Sequence, residues 1–355
     1  MSTKLNSYDV FLSEDGPAAL VIREHLMSVE GTDGVLFPAT FAASEDKTFK
    51  GGYNIDDLGD GANVCLVDSV GSQANRIEPI FSRERYRKLV PQIVIKAGPR
   101  NVNLLDAGHR AADAVIRCSA LHEQLQIAFK AAMRGDAVPL AKIAPTSLVF
   151  GVWDSRDTQA KLPRLIASTI RAFNVQKLTR SAQYVPATEY IDDKLLEETD
   201  DKKMRDAYAA KGFVHVPASG SPGGIVAQSV RRDASLHLAA LRLLSASKDQ
   251  QKSLPLQRYV LGLALTAFTS SPAGYLRQGC NLVANPEKKR EFNVVFNDGR
   301  KESAGITHDE AVSYAELTAD AFGVGEDKEV PFEVERAKED LKDASEKKPK
   351  GKAKK

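Results

Sequence analysis

Residues 144–173, APTSLVFGVWDSRDTQAKLPRLIASTIRAF, constrain this chain more than any other stretch. Residues 146–153 are rich in β-branched and aromatic side chains, which predicts a buried strand with Trp153 in the core rather than on a binding surface. Residues 154–161 then place Ser155, Arg156, Asp157, Thr158, Gln159 and Lys161 in one polar loop. Pro163 suits a first helical position. Leu162, Leu165, Ile166, Thr169, Ile170 and Phe173 recur with a 3.6-residue period, which predicts an amphipathic helix. A polar loop between a strand and a helix N-terminus is a natural anion site, because unpaired N–H groups and the positive dipole end meet there.

The same grammar recurs at 64–80, VCLVDSVGSQANRIEPI. A strand over 64–70 runs into Gly71, with Ser72 as the expected helix N-cap. Gln73, Asn75 and Arg76 are hydrogen-bond donors with no nucleophile–base partnership among them. That set suits phosphate, ribose or base edges better than bond breaking; the plainer alternative is a capped helix start with a surface arginine.

Charge is compatible with both views. The formal net charge is only +2, yet residues 64–180 hold 18 Lys and Arg against 9 Asp and Glu, so this middle carries +9 and the remainder −7. A basic middle is the footprint of a nucleic-acid surface, although a solvated charged surface would read the same way. Arg83, Arg85, Arg87 and Lys88 add a basic cluster around Tyr86. No apolar run is long enough to span a bilayer, and no signal peptide is expected at MSTKLNSYDV. Three scattered cysteines (Cys65, Cys118, Cys280) fit a reducing cytoplasm rather than a disulfide framework or zinc site.

Elsewhere the periodicity predicts helices at 18–29, at 105–133, at 236–244 and at 256–268. Strands are expected at 93–97, 225–230, 282–284 and 292–296. The 31–53 region reads as loop, its aromatics more core than base-stacking. His109 and Arg110 stand near the start of the 105–133 segment with Asp106 and Asp113; phosphate contacts or capping explain them better than a metal or general-base site. Residues 189–206 have eight acidic and four basic side chains and read as an exposed, helical insertion. The run 219–224, SGSPGG, could cradle a phosphate but lacks the lysine and spacing of a nucleotide-binding loop. From 331 the chain becomes a charged, helix-like tail, and 344–355, ASEKKPKGKAKK, is expected to be disordered.

Four blocks carry a resemblance: VCLVDSVGSQANRIEP, LLDAGHRAADAVIR, PLAKIAPTSLVFGVWDSRDTQAKLPRL and RSAQY, in this order. Together they resemble the backbone subunit of the type I-G (formerly I-U) CRISPR Cascade surveillance complex, a member of the RAMP superfamily, over roughly residues 35–300. The resemblance implies an α+β fold: an RRM-like (ferredoxin-like) antiparallel sheet in one domain over 1–330, with a web insertion near 31–61, a thumb insertion near 186–225, and a charged tail over 331–355. It implies a non-catalytic subunit without cofactor or metal. Such a subunit polymerises head to tail along the CRISPR guide RNA and presents it to target DNA. Its other partners would be further copies of itself and further Cascade subunits, namely the large subunit and the guide-processing subunit, with no membrane involved. Gln73, Asn75, Arg76, His109, Arg110, Ser155, Arg156, Lys161, Arg164, Arg180 and Gln183 are the candidate RNA-binding residues. Two alternatives stand beside this reading. One is a metal-dependent RNA-cleaving relative using Asp68, Asp154 or Asp157; the other is a metabolic enzyme using His109 and Asp113.

Overall fold

A computed structural model describes residues 3–46, 48–180, 182–218, 222–247, 249–270 and 274–346. Its framework consists of strands β1 (Ala19–Ser28), β2 (Ile55–Gly59), β3 (Ala62–Asp68), β4 (Ile166–Lys177), β5 (Ile225–His237), β6 (Cys280–Ala284) and β7 (Glu291–Val295). Among its helices are α1 (Val70–Ile77), α2 (His122–Met133), α3 (Gln250–Thr269), α4 (His308–Phe322) and α5 (Val334–Glu346).

The strands join in one nine-stranded sheet whose central order is β7–β1–β5–β4–β3–β2, with every pairing antiparallel. β6 continues the β1 edge beyond β7. Chain order β1, β4, β5, β7 with spatial order β7–β1–β5–β4 is the βαββαβ arrangement of a ferredoxin-like fold. Helical segments occupy the β1-to-β4 connection and α3 the β5-to-β7 connection. The expected α+β antiparallel core is therefore present. Register fixes its faces: Leu20 lies opposite Leu236 and Ile22 opposite Ala234, and these side chains bury themselves in one core with Leu256, Val260 and Leu263 of α3. Each fully buried Leu or Ile contributes about 1.5–3 kcal/mol. α3 and α4 cross closely at Gly262, where a Cβ would lie 2.6 Å from Thr318 Oγ1 and 2.8 Å from Ala315 Cα.

Several expectations need correction. Residues 18–29 form β1, not a helix; Leu20 and Ile22 are buried in alternation while Val21 faces the other side. Residues 146–153 are a helix at Thr146–Phe150 followed by a two-residue strand, Val152–Trp153. Residues 162–173 are mostly β4. Ile166, Ser168, Thr169 and Ile170 are all buried, so both faces of this strand are covered where it enters the core, and the period-2 signal is hidden. The N-cap of α1 is Ser69, whose hydroxyl accepts from Ser72 N–H; Ser72 itself lies inside the helix. The expected helix at 105–133 is interrupted. Two 3-10 turns and a short helix, Ala114–Arg117, precede α2. The strand expected at 225–230 continues to His237, absorbing Arg231, Arg232 and Asp233, and leaves only Leu238–Arg242 of the helix expected at 236–244.

Other expectations match closely. They include the strand expected at 64–70, which runs over Ala62–Asp68, the strand Ile93–Ala97, the helix α3, and the strands β6 and β7. The connection from β4 to β5 leaves the sheet and carries a ribbon, Ala182–Tyr184 against Val216–Ala218, and a helix, Lys202–Lys211, with no buried residue. That helix takes up only the end of the segment expected to be helical. Near the C-terminus, Lys328–Pro331 adds a strand parallel to Ile93–Ala97. α5 comes next, and its Asp340 pairs with Arg117. Most of the tail expected to be disordered (347–355), and 219–221 of the Gly/Ser/Pro run, lie outside the described residues.

Candidate nucleic-acid interface

Val152–Trp153 pairs antiparallel with Lys161–Leu162, setting Trp153 opposite Lys161. The intervening turn is built on Asp154. This carboxylate is buried and accepts from Thr158 N–H at 2.8 Å, Thr158 Oγ1 at 2.6 Å and Asp157 N–H at 3.3 Å. A short carboxylate side chain that captures backbone N–H groups ahead of it is how Asp closes a tight turn. The hairpin starts at Gly151, with φ +75°, where a Cβ would stand 2.6 Å from Arg164 Cγ.

Facing this hairpin is a second turn, 107–113, whose Arg110 adopts a left-handed φ of +55° and is buried. Its Nη1 donates to Gly151 O at 3.3 Å and its Nη2 to Asn75 Oδ1 at 3.2 Å. Its Nε lies 2.6 Å from Glu78 Oε2. That approach is off-axis for a hydrogen bond, so Nε–H and Glu78 Oε1 remain unaligned buried atoms, and the pair is held by charge. Burial pushes the Glu78 carboxyl up to about 7, while Arg110 and the Thr146 hydroxyl pull the other way. Arg110 thus locks α1, the hairpin and the 107–113 turn together.

Between the two turns lies an open cleft of ≈ 520 Å³, lined by His109, Arg110, Trp153, Ser155, Lys161 and Arg164 among others. Trp153 is 58 % exposed, which corrects its expected place in the core. Lys161 Nζ sits 5.3 Å from the centre of its ring. Among the described residues no carboxylate pairs with Lys161 or Arg164. Burial and the neighbouring charge of Arg110 lower the pKa of Arg164 from the ordinary arginine value. The cleft therefore combines cations without carboxylate partners, an exposed indole and an exposed imidazole, His109, whose Nδ1 is 3.6 Å from Asp113 Oδ2. Phosphate attracts the cations, and an unstacked base fits the indole.

The structure thus brings together five of the expected residues: His109, Arg110, Ser155, Lys161 and Arg164. Asn75 reaches the rim through its bond to Arg110. Arg156 is exposed on the Asp154 turn, outside the cleft lining. Gln73 is completely buried; its amide donates to Asp68 at 2.7 Å and accepts from Ser168 at 3.0 Å. Arg76 donates to the same Asp68 carboxylate, which also receives Arg277. Arg180 and Gln183 are exposed far along the chain, in the β4-to-β5 connection, with Gln183 Nε2 3.5 Å from His215 Nδ1. Reading sequence alone missed Trp153, and Val152-Trp153-Asp154 gave no signal for it, because a charged Asp154 would be expected outside and is buried only by the turn it closes.

The three aspartates of the cleaving alternative are separately engaged: Asp68 by Arg76 and Arg277, Asp154 by its turn, and Asp157 by Arg117 at 3.5 Å. Among the described residues no cluster of three His, Cys, Asp or Glu could hold a metal, and no helix is long and apolar enough to cross a membrane.

The chain thus combines a ferredoxin-like α+β sheet with a basic, indole-bearing cleft beside it. Residues 20–177, from β1 to the end of β4 and including every residue that lines the cleft, match the family model of CRISPR-associated protein GSU0053 (Cas_GSU0053). The match indicates a CRISPR-associated protein family. No curated protein matches the chain.

Proposed function

We propose that this chain is a non-catalytic, guide-RNA-binding backbone subunit of a type I-G CRISPR surveillance complex, polymerising head to tail along the guide and presenting it to target DNA. One observation carries the reading: Lys161 and Arg164, without carboxylate partners among the described residues, line the same open cleft as the exposed Trp153. A guide of any sequence must be held by phosphate and ribose, which carry no sequence information. The cleft offers cations and a stacking surface, which tolerate every base. Repetition of such a modest site along one RNA raises affinity through avidity, and a head-to-tail contact that does not close extends into a filament. The large subunit, the guide-processing subunit and target DNA are the further partners in this reading.

The test is co-expression with a CRISPR array, then purification and filter binding with guides of unrelated sequence. Co-purifying RNA and comparable affinity for all guides support the proposal. Protein free of nucleic acid, a strong sequence preference, or Mg²⁺-dependent cleavage of complementary RNA would overturn it.

A further inference from the structure

A second cavity, sharing no residue with the cleft, lies between the sheet and the hairpin that ends in β6. It holds ≈ 310 Å³, and Leu26, Ile170, Leu276 and Leu282 form apolar walls. Its charged groups are Glu24, Arg232 and Arg290, and the Gln73 amide, engaged with Asp68 and Ser168, also lines it. β1 and β5 set Glu24 directly opposite Arg232, and Ile170 of β4 lies on the other side of Arg232.

Arg232 is only 3 % exposed, yet it is incompletely satisfied. Its Nε donates to Glu24 Oε2 at 2.9 Å. The two terminal nitrogens have no hydrogen-bond partner among the described residues. Arg290 Nε approaches the other Glu24 oxygen at 3.7 Å. Two guanidinium groups therefore face one carboxylate, and the cavity retains one positive charge. The terminal nitrogens of Arg232 are not among the sealed polar atoms, so they stand open to the cavity, and a guanidinium presents its donors as a planar fork that matches two oxygens of one carboxylate.

We propose that this cavity binds a small organic carboxylate, with both oxygens on the terminal nitrogens of Arg232 and an aliphatic or aromatic body against Leu26, Ile170, Leu276 and Leu282. A carboxylate fits better than a phosphate for two reasons. Its single charge balances the cavity, whereas a phosphate dianion overshoots it. Its two oxygens are met by the fork, and its organic body covers Leu26, Ile170, Leu276 and Leu282, which a phosphate would leave against its own polar oxygens. The site is independent of the guide-binding reading.

Benzoate titrated into the full chain, monitored by calorimetry and ligand-observed NMR, tests this. The expected result is binding that weakens about tenfold or more in Arg232→Lys, because lysine cannot present the fork. Val283→Trp, at an exposed position of the cavity wall, abolishes binding while guide-RNA affinity is unchanged. Inorganic phosphate does not displace benzoate. Absence of benzoate binding to the unmodified chain, equal competition by phosphate, or affinity unchanged in Val283→Trp overturns the proposal; these readouts decide it even if Arg232→Lys fails to fold.

Discussion

Arg110 Nε lies 2.6 Å from Glu78 Oε2, and both side chains are almost fully buried. One ion pair thus fastens the segment after α1 to the turn that forms one wall of the cleft.

Stability should report this pair through pH. The unfolded Glu78 carboxyl titrates at its ordinary 4.5 and the native one at about 7, raised by burial. The native state therefore binds this proton more tightly. The contribution is fully present below pH 4.5 and is lost as pH rises to about 7. Urea denaturation of the unmodified chain and Glu78→Gln across this window should give a stability difference that changes with pH, and none of that change above about pH 8. Arg110→Met removes the charge that holds this carboxyl down, so it should cost more stability at about pH 8 than at about pH 5 in the same measurement.

Changes at the cleft surface should separate binding from folding. Lys161→Ala and Arg164→Ala are expected to leave the melting temperature nearly unchanged and to weaken guide binding alike for all sequences. Each should reduce the slope of log affinity against log salt by about one. Trp153→Ala should lose about 1–3 kcal/mol of binding with little change in salt slope, because it removes a stacking face and no charge. Fluorescence anisotropy at several salt concentrations checks all three.

Gly151→Ala should disturb both properties. The backbone there has φ +75°, and the added methyl meets Arg164 2.6 Å away. A cost of about 1–3 kcal/mol in chemical denaturation is expected, together with weaker RNA binding as Arg164 is displaced.

The cysteines should be inert in the native chain. Cys65, Cys118 and Cys280 are free and buried. Burial pushes the Cys65 thiol up to about 12, and Cys118 and Cys280 also rise chiefly through burial. A disulfide-exchange reagent at about pH 8 should react negligibly with folded protein and fully after guanidinium treatment.

The sequence makes some of this architecture legible and hides the rest for physical reasons. The short strands Ile93–Ala97 and β7, bounded by turn residues, show their character directly. β4 does not. Its entry into the core buries Ser168, Thr169 and Ile170 consecutively, and Ile166, Thr169, Ile170 and Phe173 also satisfy a helical repeat. At the candidate site, the basic residues near 109 and 161 are visible in sequence, and the fold brings them to one cleft. What sequence could not distinguish is which donors are spent inside. Gln73 and Asn75 are two positions apart on α1, yet one is sealed against Asp68 and Ser168 and the other reaches the rim. That difference depends on partners distant in sequence, Ser168 for the first and Arg110 for the second. α4, with its Thr307–Glu310 capping box, carried a readable start signal that apolar spacing alone did not reveal.

Arg117 meets both Asp157, on the turn of the cleft hairpin, and Asp340, on the last helix. Lys328–Pro331 likewise supplies the parallel neighbour of Ile93–Ala97. During synthesis from the N-terminus, the hairpin and that strand emerge long before these partners do. A nascent chain halted before residue 328 carries an open strand edge and an arginine bound on one side only. The turn of the cleft hairpin is therefore braced, through Arg117, by a helix made after it, so the cleft takes its finished form only once the chain has passed residue 340.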